Sequence, residues 1–235
     1  MKIEVLFSEV CNLSGDYQNV EYLRQTLPEA EFVFTALTQE PDFAANRPDM
    51  IYMGTMTEAT QRRVIEKLMP HKDRIEALID DGVVFLMTGN ACEVFCGAID
   101  YVTEERRAEG LGIFPLTAKT DLFRRYNGKF LGDVDGISVV GFRSQFSFLY
   151  GDNSQGYFGK NQRSIGINTD TDLEGVRRKN FFGTNLQGPI LPLNPLFCEH
   201  LIRLAGGDAP AAHREAAMAA YEQRLKEFRD PSVKF

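Results

Sequence analysis

The stretch from Asp81 to Gly97, Asp81-Gly-Val-Val-Phe-Leu-Met-Thr-Gly-Asn-Ala-Cys-Glu-Val-Phe-Cys-Gly97, constrains the fold more than any other part of the chain. Val83 to Met87 is an unbroken apolar run rich in β-branched residues, which predicts a strand buried on both faces. Thr88-Gly89-Asn90 follows as a turn, and Ala91 to Phe95 can open a helix. A strand feeding a helix through a tight turn is how α/β enzymes display a nucleophile, with the next backbone N–H turned toward a developing oxyanion. Thr88 holds the tip, so its side chain is expected to stand exposed there.

The flanking segments alternate in the way such a strand requires. Lys2–Phe7, Glu31–Thr35 and Asp49–Met53 read as strands, and Val20–Leu27 as a helix stopped by Pro28. Glu58–Ile79 carries apolar residues at helical spacing, with Pro70 expected to kink or split it. Gly54-Thr55-Met56 forms a second strand-end turn. Alternation of this kind predicts a mostly parallel, flavodoxin-like sheet in a three-layer α/β sandwich, with the site at the carboxyl ends of the strands. After Gly112 short strands with Gly and Asp turns take over (Ala118–Tyr126, Lys129–Leu131, Ile137–Phe142, Phe146–Leu149), predicting an antiparallel extension. Residues 152–172 are rich in Gly, Asn, Ser and Thr and read as an ordered but mobile loop. Phe181–Leu186 returns as a strand, and Asn194–Ala205 and Ala211–Phe228 read as closing helices. The expected division is a domain over 1–207 with a helical extension over 208–235 packed on it.

Composition narrows the function classes. A net charge of −7 argues against nucleic acid as a partner, and Arg177-Arg178-Lys179 reads as a solvated strand edge. Four cysteines in 235 residues suit reduced thiols of a cytoplasmic protein rather than a disulfide frame. No apolar stretch approaches the ~20 residues of a membrane span. The first residues, with a charge inside the apolar run, do not read as a signal peptide.

Asn12-Leu13, Gly15-Asp16, Asn19 and Leu23-Arg24, then Glu109-Gly-Leu-Gly112, then Glu174-Gly-Val-Arg177, Lys179-Asn180, Gly183-Thr184, Leu186, Gly188-Pro189 and Leu191-Pro192 form a spaced series. Together they resemble the class I glutamine amidotransferases of the cobyric acid synthase type, above all the glutaminase subunits of lipid II isoglutaminyl synthase. The resemblance runs from the first strand to about Ala205. It implies glutamine hydrolysis by a cysteine at the elbow and a histidine that transfers protons, two backbone amides holding the oxyanion. It also implies a Mur-ligase-like, ATP-dependent synthetase partner that receives the ammonia, and no cofactor or metal.

The chain departs from the pattern at the residues that carry this chemistry. The family elbow Cys-Gly-Gly-x-Gln falls on Thr88-Gly89-Asn90-Ala91-Cys92, so threonine takes the nucleophile position. The family's Leu-His-Gly-Pro falls on Leu186-Gln187-Gly188-Pro189, so Gln187 takes the histidine position. The oxyanion-loop glycines fall on Gly54-Thr55-Met56, and His-Gly-Gly-Arg falls on Gln145-Phe146-Ser147-Phe148. An amide is neither a base nor an acid, and an internal threonine lacks the N-terminal amine that threonine nucleophiles use. His71, His200 and His213 lie outside the matching segments.

Cys92 is a weak alternative nucleophile. Cys92 and Cys96, four apart on the expected elbow helix, would share a face, and a thiolate near a helix N-terminus has a lowered pKa. Packing of small apolar thiols is the preferred reading, since free Cys is among the most buried residue types. Cys198 and His200 read as packing and surface, and Asp133 and Asp135 as turn formers; Phe142, Phe146, Phe148 and Tyr150 have strand period and read first as core, with filling of the former glutamine pocket by Phe146 and Phe148 as the alternative. The expected candidate cleft is therefore Thr88, Gln187 and Cys92, with Gly54, Thr55, Gly89, Gln145 and Phe148 around them. The expected function is a degenerate amidotransferase that binds a synthetase partner or a small amide or amino-acid ligand. The alternative is a hydrolase that releases ammonia through altered residues.

Overall fold

The computed structural model describes residues 1–234. In chain order its elements are β1 (Lys2–Leu6), α1 (Tyr17–Thr26), β2 (Glu31–Thr35), β3 (Met50–Met53), α2 (Glu58–Leu68), α3 (Lys72–Asp80) and β4 (Val84–Thr88). There follow β5 (Cys96–Tyr101), β6 (Arg106–Glu109), β7 (Phe114–Thr120), β8 (Tyr126–Val134), β9 (Ile137–Gln145) and β10 (Ser147–Tyr150). The chain closes with β11 (Gly159–Asn161), β12 (Leu173–Glu174), β13 (Val176–Arg178), β14 (Phe181–Thr184), α4 (Ile190–Leu193), α5 (Pro195–Leu204) and α6 (Arg214–Arg229).

The central sheet runs β13-β14-β4-β3-β1-β2. Its five strands from β14 to β2 are parallel, and only β13 is antiparallel. That order is the flavodoxin-like one, which puts a crevice at the carboxyl ends of the strands where the winding reverses. The apolar run of β4 is explained by its two buried faces. Val84 and Leu86 join the core beneath α1 and α5, whereas Phe85 and Met87 join the core beneath α2 and α3. Met50 and Tyr52 of β3 follow the first set, and Ile51 and Met53 the second. Full burial of each such side chain contributes roughly 1.5–3 kcal/mol, so the register of the central strands is strongly fixed.

Pro70 splits the α2–α3 segment as expected, with a 3₁₀ turn over Met69–His71. Two expectations need correction. The segment after β4 is not an α-helix: Gly89–Phe95 is a 3₁₀ stretch that leads directly into β5. Cys96 is therefore a strand residue, and Cys92 and Cys96 do not share a helix face. The extension also begins at Cys96 rather than after Gly112, in two four-stranded sheets ordered β10-β7-β5-β6 and β12-β11-β8-β9; the second is antiparallel throughout, whereas in the first β5 pairs with β7 in parallel. The 152–172 loop contributes one short strand, β11, to the second of them.

Within the second small sheet, Arg143 Nη2 of β9 and Glu174 Oε2 of β12 form a buried ion pair at 2.6 Å, and Glu174 ties that sheet to the central one. Glu174 Oε1 also accepts from Thr184 Oγ1 and the Asn185 amide, both at 2.8 Å. Helix α6 packs Tyr221, Leu225 and Phe228 against Leu131 and Val140 of β8 and β9. Among the described residues no helix is long and apolar enough to cross a membrane.

Candidate functional site

Strand alternation decides where the side chain of Thr88 goes. It has the parity of Val84 and Leu86, so it points into the layer beneath α1 and is fully buried. The expectation of an exposed tip is corrected. The Thr88 hydroxyl donates to Asp16 Oδ1 at 2.8 Å and lies 3.2 Å from the Tyr52 hydroxyl. Tyr52 donates to the Asp16 carbonyl at 3.1 Å and accepts from Asn19 Nδ2 at 3.0 Å. The Asp16 carboxyl is further held by the Ser14 amide at 3.0 Å and by Thr55 Oγ1 at 3.3 Å. Asp16, Asn19, Tyr52, Thr55 and Thr88 thus form one buried, mutually satisfied polar knot, the kind that fixes a core in one arrangement.

The backbone at the turn tells the same story. Thr88 is ordinary extended chain, φ −104 and ψ 148, whereas the left-handed conformation falls on Gly89 at φ +58. In a nucleophile elbow the sharp turn residue carries the reacting side chain; here that residue has none. A Cβ on Gly89 would sit 2.2 Å from Thr55 Oγ1, so no side chain fits. Gly54 is equally confined, its Cβ direction ending 2.5 Å from the Asp16 Cβ. The Gly89 amide, expected at the oxyanion, donates instead to the Leu186 carbonyl at 3.0 Å. The amide of Met56, next to Thr55, donates to Asn90 Oδ1 at 3.0 Å.

Cys92 lies behind this turn, fully buried, its thiol donating to the Gly89 carbonyl at 3.2 Å and facing Asn185 Oδ1 at 3.5 Å. Burial, and after it the neighbouring Cys96, Glu93 and Glu174, push the Cys92 thiol well up. A thiolate is therefore strongly disfavoured there. Gln187 is half-buried, its side-chain amide donating to the Ser144 carbonyl and its backbone N–H to the Phe142 carbonyl.

A cleft of about 250 Å³ opens beside the turn. Thr55, Gly89, Gln145 and Gln187 line it, while Thr88, Cys92, Gly54 and Phe148 do not. Phe148 packs edge-on against Tyr126 instead, so of the two phenylalanines that the alternative puts in the former pocket only Phe146 reaches the cleft.

Glu93, which the sequence reading left out, lies buried in the cleft wall. Its Oε2 accepts from Gln61 Nε2 at 2.9 Å, and Tyr101 donates in turn to Gln61 Oε1 at 2.9 Å. Burial pushes this carboxyl up to about 7, Gln61 and Ser147 pull it part-way back, and Glu58 adds a smaller push. The only signal for it in the sequence is a lone charge inside the apolar Ala91–Phe95 run. Thr120, Ser147 and Asn185 were missed for a different reason: nothing local marks them, and three separate strands and loops bring them together.

A wider groove of about 1070 Å³ lies between β7, β13 and the 152–158 loop. It shares no lining residue with the cleft beside the turn, and its arginines are engaged, Arg177 with Asp135 at 2.5 Å and Arg178 with Asp80 at 2.7 Å. Among the described residues no group of His, Cys, Asp and Glu could hold a metal ion.

With this geometry in hand, the chain superposes on the crystal structure of a glutamine amidotransferase with a TM-score of 0.58 over 87% of this chain and 98% of that one, at 15% identity. The fold is that of a glutamine amidotransferase. The chain is also similar to GatD, a subunit of the glutamine-hydrolyzing lipid II isoglutaminyl synthase. It is 27% identical over 203 residues to GatD of Staphylococcus aureus (strain N315), covering 84% of this chain and 81% of that protein. It is 25% identical over 214 residues to GatD of Streptococcus pneumoniae (strain ATCC BAA-255 / R6), covering 87% and 80%. No protein-family model matches the chain.

Proposed function

We propose that this protein is a glutamine amidotransferase-fold subunit that does not hydrolyse glutamine and acts by binding, alongside an ATP-dependent, Mur-ligase-like synthetase. The observation that carries the proposal is the turn after β4. Its left-handed residue is a glycine whose Cβ direction is closed by Thr55, and the neighbouring threonine is buried against Asp16. Hydrolysis of a carboxamide needs a nucleophile that substrate can reach and a base that takes its proton. Thr88 is out of reach, Cys92 is a buried thiol, and Gln187 has no proton-accepting group at neutral pH. Similarity to proteins named as synthase subunits supports the partner's class.

One observation favours a second reading, a hydrolase working through altered residues. The Thr88 hydroxyl lies 2.8 Å from a carboxyl oxygen of Asp16, within the distance at which a base activates a hydroxyl. Asp16 is already occupied by Ser14 and Thr55, however, and the pair is sealed from the cleft.

Ammonia release from L-glutamine by the purified protein decides between the two. No release from the wild type, Thr88→Ala or Cys92→Ala is expected. Release that one of the substitutions abolishes would overturn the binding proposal and name the nucleophile. A co-purification of the tagged protein with its cell's Mur-ligase-like synthetase tests the partner, and the two proteins eluting separately would remove that part of the proposal.

A further inference from the structure

Phe123 stands 88% exposed, more than any other large hydrophobic among the described residues. A single exposed apolar side chain is ordinary, but this one has company. Leu13 and Leu122 are exposed too, at 63% and 39%, and both line the cleft beside Gly89. Val102, 49% exposed, adjoins Thr103, whose hydroxyl accepts from the Leu122 amide at 2.9 Å.

The tip that carries Phe123, residues 121–125 between β7 and β8, is fixed by its own hydrogen bonds. The Asp121 amide donates to the Phe146 carbonyl at 2.8 Å, and the Asp121 carbonyl accepts from the Arg124 amide at 2.9 Å. Asp121 Oδ1 accepts from the Phe123 amide at 3.0 Å. Thr103 bonds both the Leu122 amide and Asp121 Oδ1, which ties the tip to the turn after β5. The backbone under Phe123 is thus set before anything touches it, and a partner is spared the cost of ordering a loop. Large side chains presented in this way form the centres of protein interfaces.

The charges around the tip say what such a partner carries. Arg124 is 86% exposed in its 3.5 Å pair with Asp121, and exposed pairs of that kind contribute little. Arg125 lies over the Phe146 ring and is bonded only to the neutral Ser144 hydroxyl. Both guanidinium groups therefore keep donors for carboxylates. Glu58 lines the cleft, however, and Glu104 and Glu105 follow Thr103, in a chain of net charge −7. An anionic lipid surface meets these glutamates together with the arginines. A protein can set carboxylates against the arginines and leave the glutamates to water.

We propose that the 121–125 tip is a docking hook for a partner protein that offers an apolar pocket for Phe123, bordered by carboxylates for Arg124 and Arg125. The inference rests on the proposed binding function and deepens it by naming the surface through which the partner is held.

Calorimetric titration of the full chain with its cell's Mur-ligase-like synthetase tests the hook. Phe123→Ser is expected to weaken binding about thirtyfold, the loss of one hot-spot side chain. Its melting temperature should match that of wild type, because the ring is exposed. Arg124→Glu should weaken binding further as salt is lowered, the reverse of wild type. Tyr157→Ser, an exposed aromatic of the wider groove, should bind as wild type does. Wild-type binding that Phe123→Ser leaves unchanged, or that Tyr157→Ser weakens equally, would overturn the hook alone. No binding by the wild type would remove the synthetase from the proposed function and the hook with it. Phe123-dependent binding to vesicles of phosphatidylcholine and phosphatidylglycerol, or Phe123-dependent self-association on gel filtration, with the synthetase left unbound, would replace the protein partner by a lipid surface or a second copy of the chain.

Discussion

Replacing Thr88 by valine separates a structural threonine from a catalytic one. The two side chains have nearly the same shape, so the change removes a hydroxyl and leaves little cavity. The hydroxyl donates to Asp16 Oδ1 at 2.8 Å in a fully buried setting. Leaving a buried acceptor without its partner costs about 1–3 kcal/mol. Thr55 Oγ1 remains 3.3 Å from the same oxygen, and Tyr52 keeps Asn19 and the Asp16 carbonyl, so the lower part of that range applies, about 1–2 kcal/mol. In a chain of 235 residues each kcal/mol moves the melting temperature by about 2–4 °C. Thr88→Val should therefore melt about 2–8 °C below wild type, by circular dichroism, with no change in any ligand bound at the cleft. Its cost and that of Asp16→Asn should be non-additive by ~1 kcal/mol, because both act on one hydrogen bond. A variant as stable as wild type that loses an activity wild type possesses would refute the reasoning and return Thr88 to chemistry.

The double variant Thr88→Cys, Gln187→His should release no ammonia from glutamine, because position 88 faces Asp16 and not the cleft; measurable release would show otherwise. Burial raises the folded-state pKa of Glu93 from its ordinary 4.5 to about 7, so the native state holds a proton that the unfolded state has lost between those values. Stability should therefore fall as pH rises from about 4.5 to 7, by about 3 kcal/mol from this group. Urea melts of Glu93→Gln against wild type should isolate that slope, and equal slopes would remove the assignment. Arg143→Leu should cost about 3–5 kcal/mol, since it strands the buried Glu174 carboxyl that also holds the Asn185 amide. A near-neutral denaturant melt would contradict it. All four cysteines are buried, so the native protein should resist thiol reagents until denaturant opens it; fast labelling of one native thiol traced to Cys92 would reopen it as a nucleophile.

The alternating strand-and-helix pattern was legible in the chain because burial on both faces leaves an unbroken apolar run, as in Val84–Met87, and because Pro28 and Pro70 punctuate helices locally. Those are short-range effects, and they carry the fold class and the sheet's position. The identities of Thr88 and Gln187 likewise speak from the sequence alone, since neither side chain offers a base. What a linear pattern cannot carry is direction and company. Whether Thr88 points out of the turn or into the Asp16 knot depends on the parity of β4 and on which residue takes the left-handed φ. Gly89 takes it, because only a residue without Cβ fits against Thr55. The cleft is tertiary in the same sense. Glu93, Thr120, Gln145, Ser147 and Asn185 lie up to 92 positions apart, from a 3₁₀ turn, three strands and a loop, and only sheet pairing such as Thr120 opposite Ser147 assembles them. Local propensity determined the elements; long-range packing decided which side chains line the same cleft.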